Sequence, residues 1–134
     1  MLYAFFVLFS AHIIPGSGLG RKQRVPTLNL ALEKMPNDLE EGIYACHVSF
    51  RQIANRKSQI VMFPAVMHYG PRPVHDLPLS CEIHLLDQTI AHAPESVTVE
   101  IIERIRDVRD FENTEQLRAA IQSDLAQARA ILGA

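Results

Sequence analysis

Strict alternation of apolar and polar residues in several separate runs is the feature that most narrows what this chain can fold into. In residues 42–50, Tyr44, Cys46, Val48 and Phe50 fall on one face and His47 and Ser49 on the other. That is the period-two signature of a half-buried strand. In residues 79–87, Cys81, Ile83 and Leu85 share one face, while Glu82, His84 and Leu86 share the opposite one. The apolar opening reads as a buried first strand ending near Ile14, residues 28–32 form a short strand, and residues 51–58 are a charged hairpin tip. Residues 59–69 return from that tip, with Pro64 predicting an edge or a bulge. Three prolines in residues 70–78 predict an irregular stretch. Residues 97–106 are β-branched and carry Thr98, Glu100 and Arg104 on their second face. About six strands without βαβ alternation predict an antiparallel sheet.

The period changes only at the end. Asn113 or Thr114 can cap a helix whose apolar positions Leu117, Ile121, Leu125, Ala128 and Leu132 recur at helical spacing, with Gly133 just past its end. Such a single stripe packs against a barrel or sandwich. At 134 residues the whole chain, 1–134, is expected to be one domain with a core of its own.

Charge narrows the function. With 13 Lys+Arg against 15 Asp+Glu the net charge is -2, and only residues 21–24 are locally cationic, so no nucleic-acid footprint is expected. The opening apolar run has no Lys or Arg before it and is far shorter than a membrane span, so no membrane association and a cytoplasmic location are expected. Cys46 and Cys81 lack metal-type spacing and read as small buried side chains, although spacing alone leaves a disulfide open. The histidines at 12, 47, 68, 75, 84 and 92 form no H-x-x-x-H pair, which argues against a zinc site.

Chemistry concentrates in residues 16–29. Gly16, Gly18 and Gly20 remove side chains at alternate positions, so backbone N–H groups could close on an anion, with Arg21 and Lys22 supplying charge. The segment fits neither the Walker loop nor the dinucleotide fingerprint, whose third glycine would stand at Arg21. Thr27 and Asn29, two apart after Pro26, offer neutral oxygens on one strand face, suited to a hard cation such as Mg²⁺. Glu82, a carboxylate in mid-strand, can act as a general base if its face lines a pocket.

In this order the motifs resemble the riboflavin kinases, including the kinase module of bacterial bifunctional FAD synthetases. The family pattern G-x-G-R-G-R-x-L-G-F-P-T-A-N is matched by Gly16, Gly18, Gly20, Arg21, Pro26, Thr27 and Asn29. G-V-Y-A is similar to residues 42–45, G-T-R-P-T to residues 70–74, E-V-H-L-L-D to residues 82–87, and I-R-x-x-x-x-F to residues 105–111. The resemblance covers nearly the whole chain.

It implies a mainly β fold, a six-stranded antiparallel Greek-key split barrel with a C-terminal α-helix. It implies transfer of the γ-phosphoryl group of ATP to the 5′-hydroxyl of riboflavin, giving FMN. Thr27 and Asn29 would hold Mg²⁺ and the nucleotide phosphates, Gly16, Gly18, Gly20, Arg21 and Lys22 would cradle those phosphates, and Glu82 would take the ribityl hydroxyl proton. Arg106 would lie on the flavin side. A stand-alone monomer is expected, with a fragment of, or partner to, an FAD synthetase as the related reading. The family pattern is departed from at Leu19, Arg24 and His68. These motivate the alternative of a catalytically weakened flavin- or nucleotide-binding relative, and a structural or interaction role that merely reuses the barrel is the third reading.

Overall fold

The computed structural model describes residues 7–14, 27–72, 77–90 and 92–134. Among the described residues six strands, β1 (Val7–Ile14), β2 (Thr27–Leu30), β3 (Gly42–Ala54), β4 (Lys57–Arg72), β5 (Leu77–Leu85) and β6 (Ser96–Arg106), precede one helix, α1 (Thr114–Leu132). Every strand pairing is antiparallel. The strands close into a barrel in the order β1-β2-β5-β4-β3-β6. β3, β4 and β5 follow one another as neighbours and β6 returns beside β3, which is the expected Greek key.

Alternation builds the interior. Leu28 and Leu30, Cys46 and Val48, Met67, Cys81 and Ile83, and Val97 and Val99 all point inward and are essentially inaccessible. Burying each large aliphatic side chain stabilises the fold by about 1.5–3 kcal/mol. A second, smaller core lies outside the barrel, where Ile43, Ala45, Val66 and Leu86 meet Ala128 of α1. The helix is capped as its sequence predicts. The Asn113 side chain accepts from the Gln116 N–H at 2.8 Å, and Gly133 turns the chain out in the left-handed region at φ 70°.

Several local expectations are corrected. β1 is half-exposed rather than buried, because only Phe9 and Ala11 point fully inward and Leu8 stands 64% exposed. The hairpin tip is tighter than residues 51–58: the β3–β4 ladder runs to Ala54↔Lys57, and a two-residue turn at Asn55 and Arg56 has positive φ at both positions. The stretch after Gly70 is not wholly irregular, since β4 and β5 still pair at Gly70↔Ser80 and Arg72↔Leu77 across a register shift. Pro64 does mark a local edge: β5 pairs with β4 only from Ala65 onward, and residues 57–63 of β4 pair with β3 alone.

The largest correction is on β6. Register shifts against β3 fall between Ile43 and Tyr44 and between Ala45 and Cys46. Each inserts a residue into β6 and reverses its facing. The shift between Ala45 and Cys46 places Arg104 opposite Tyr44 instead of on the second face with Thr98 and Glu100, and the shift between Ile43 and Tyr44 restores Arg106 to the side of Ile43, under α1.

Candidate active site

The site is laid out on the outer face of the barrel, in two adjacent cross-strand rows. Asn29 on β2 pairs with Glu82 on β5, Glu82 with His68 on β4, His68 with Ile43 on β3, and Ile43 with Arg106 on β6. The neighbouring row runs Thr27, His84, Val66, Ala45 and Glu103. Leu28 and Leu30 must face the core, so Thr27 and Asn29 face outward together; the same parity on β5 turns Glu82 and His84 outward between Cys81, Ile83 and Leu85.

Side-chain geometry ties the two rows together. Thr27 Oγ1 lies 3.0 Å from His84 Nδ1, and His84 Nε2 lies 3.1 Å from Glu82 Oε1. The Glu82 side chain is only 13% exposed. Thus Thr27, Asn29 and Glu82, spread over 56 positions of sequence, are brought to one place by the β2–β5 ladder.

Beside these rows, a cavity of about 320 Å³ opens between the outer sheet face, residues 109–114 and α1. That volume lies within the range of small-molecule sites. His68 and His84 form its sheet wall, Phe111 the wall of the connecting segment, and Leu117 and Ile121 the helix wall. Arg106 also lines it, yet its guanidinium is engaged. Nε and Nη2 donate to the two carboxylate oxygens of Asp124 at 2.8 and 2.7 Å, and Nη1 donates to the Asp107 carbonyl. Arg106 and Arg109 both stack over the Phe111 ring. Arg106 therefore fixes the wall that joins β6 to α1.

Gly16, Gly18, Gly20, Arg21 and Lys22 lie outside the described residues, as does His75. Sequence reading missed three contributors to this face. Asp124 is one; its signal was a carboxylate at helical spacing inside the apolar stripe, three after Ile121 and four before Ala128, and it is 4% exposed. Phe111 was seen only as part of a motif. His84 was placed outward beside Glu82 and within a motif, but its link to Thr27 carried no local signal, because it is made by strand pairing.

Both cysteines are free and buried in the barrel interior. Burial raises the Cys46 thiol far above its ordinary value, with the Cys81 charge adding to the effect; burial likewise pushes Cys81 up to about 12, aided by Glu82. Neither is suited to act as a thiolate nucleophile. Among the described residues no helix is long and apolar enough to cross a membrane.

Fold and site together define a closed six-stranded antiparallel barrel whose polar constellation and cavity sit on its outer face under a C-terminal helix. Comparison with known proteins places that class. Residues 4–132 match the family model described as Flavokinase: Riboflavin kinase, and the chain belongs to the riboflavin kinase family. A bifunctional riboflavin kinase/FMN adenylyltransferase of Haemophilus influenzae is 30% identical over 88% of this chain and 36% of its own length. The chain spans about a third of the length of the curated relatives it matches. Among solved structures, riboflavin kinase from Trypanosoma brucei superposes with a TM-score of 0.60 at 21% identity, over 96% of this chain and 80% of that one. A macrolide-efflux protein from Streptococcus pneumoniae gives 0.64 at 22% identity, over 91% and 38%. At these identities the structural likeness speaks for the fold alone.

Proposed function

We propose that this chain transfers the γ-phosphoryl group of ATP to the 5′-hydroxyl of riboflavin, giving FMN, with Glu82 as the general base. The observation that carries the reading is the register Asn29↔Glu82, flanked by Thr27↔His84 and opening beside the cavity. It supports a site in which phosphate-side oxygens and a carboxylate lie one strand apart. Phosphoryl transfer asks for little more from a protein than positioning and charge neutralisation.

Thr27 and Asn29 suit Mg²⁺, since a hydroxyl and an amide carbonyl are hard oxygen donors and Mg²⁺ ordinarily takes few protein ligands beside substrate phosphates and water. When bound, the cation would neutralise charge developing on the transferred phosphoryl group. Glu82, a half-buried carboxylate held on one oxygen by His84, would orient the attacking hydroxyl and accept its proton. The apolar walls from Phe111, Leu117 and Ile121 would receive the flavin ring, with Arg106 holding those walls in place through Asp124. The glycine and cation segment, Gly16 to Lys22, would close on the nucleotide phosphates.

The test is FMN formation from riboflavin and ATP followed by chromatography, with and without Mg²⁺. Metal-dependent FMN supports the reading. Riboflavin binding without FMN would instead favour a weakened relative, for which His68, beside Glu82 where the family carries an amide, is the structural motive.

A further inference from the structure

We infer that His68 is the specificity-determining residue for the ribityl chain, touching the substrate between its flavin ring and its 5′-hydroxyl. The inference rests on the riboflavin reading of the cavity and deepens it. Its premise is the outward row Glu82, His68, Ile43 and Arg106, in which His68 separates the carboxylate read as a base from the flavin side.

Parity fixes the direction of the side chain. Met67 and Tyr69 pack with the barrel core, so His68 between them faces outward, where it lines the cavity. Ile43 and Arg106 line it as well, together with Phe111, Leu117 and Ile121, and a flat, largely apolar ring belongs against those walls. Glu82 stands one strand beyond His68.

Distance then decides what must cross His68. Strands lie about 4.8 Å apart, so two spacings, about 10 Å, separate Ile43 from Glu82 along the row. A ribityl chain, from ring nitrogen to terminal oxygen, has the backbone length of about two extended residues, about 7 Å. A ring resting at Ile43 therefore brings its hydroxyl to Glu82 only when the chain is extended and runs past His68. His68 has a partner within the protein too, and as a lining residue it still turns part of its ring to the cavity. The contact needs no particular tautomer, because a hydroxyl donates or accepts and the ring carbons pack against the carbons of the chain. The imidazole that stands where the family pattern has an amide thus becomes a substrate contact.

The test separates chain from ring. Riboflavin and lumiflavin, which keeps the ring but has a methyl group in place of the ribityl chain, are titrated by flavin fluorescence against wild type, His68→Ala and His68→Asn, with a thermal melt of each. The proposal expects wild type to bind riboflavin more tightly than lumiflavin. His68→Ala weakens riboflavin about five- to tenfold, the worth of one hydrogen bond, and leaves lumiflavin within about twofold. His68→Asn, which keeps a polar group of smaller size, falls between. A merely structural role would weaken both ligands alike, and that result overturns the proposal, as does an unchanged riboflavin affinity in His68→Ala.

FMN formation by wild type is followed beside the titrations, so the two readings fail separately. FMN made with no chain-dependent effect at His68 sinks the proposal and leaves the kinase reading standing. A chain-dependent effect without FMN does the reverse. Wild type that binds neither flavin overturns both.

Discussion

Asn29 on β2 stands directly opposite Glu82 on β5, so the amide read as a metal ligand and the carboxylate read as a base are the two ends of one rung of the ladder. Strands in a sheet lie about 4.8 Å apart, which is the scale on which an attacking hydroxyl and a phosphoryl group must meet. Asn29→Ala is expected to raise the KM for Mg-ATP about tenfold and to leave riboflavin affinity unchanged. Initial-rate kinetics combined with flavin fluorescence titration check this. A loss of riboflavin affinity instead would move Asn29 to the flavin side.

Asp124 is the buried charge of the helix, and Arg106 meets it in a bidentate pair at 2.8 and 2.7 Å. Removing one member of a buried pair leaves the other desolvated without compensation. Asp124→Ala is therefore expected to destabilise the fold by about 3 kcal/mol, measured by urea unfolding, and to loosen the flavin wall. Joint replacement of Arg106 and Asp124 by Met and Leu should recover most of the stability but not the binding.

Gly70 has φ +156°, and a Cβ there would lie 2.8 Å from Val108 Cγ2. Val108 directly precedes the segment that walls the cavity. Gly70→Ala combines backbone strain with a displaced wall, so it should cost about 1–3 kcal/mol and weaken riboflavin binding together. A thermal-melt comparison with a titration on the same sample tests both.

The thiols give a pH prediction whose sign is fixed. The Cys81 thiol moves from 9.0 to about 12 on burial, and Cys46 moves in the same direction. The unfolded chain therefore releases these protons first, and stability is fully present below pH 9 and falls as pH rises from there toward 12. The slope is up to about 1.4 kcal/mol per pH unit for each group. Urea midpoints measured across that window should fall, and native thiols should resist labelling at pH 8 while both react after denaturation.

Much of the fold was legible because its residues obey one period at a time. Tyr44 to Phe50 and Cys81 to Leu85 alternate cleanly, and Asn113 and Gly133 bracket the helix. Thr27, Asn29 and Glu82 could be singled out by type and spacing, and the outward parity expected for them is the one observed. What escaped depends on partners distant in sequence. Two register shifts on β6 decide which way Arg104 and Arg106 face, and no local pattern announces them. The His84 bridge arises only once β2 is set against β5. The buried first strand was overread from composition, since Leu8 and Ile14 are apolar yet exposed.

The most direct test of the account is the kcat of Glu82→Gln with saturating riboflavin and Mg-ATP, taken beside riboflavin binding to the same variant. Loss of a positioned general base costs about 10²–10⁴-fold, so FMN formation should collapse by that factor while flavin affinity and thermal stability persist. A folded Glu82→Gln protein that forms FMN at the wild-type rate would contradict it, and the base would have to be sought away from the β2–β5 ladder.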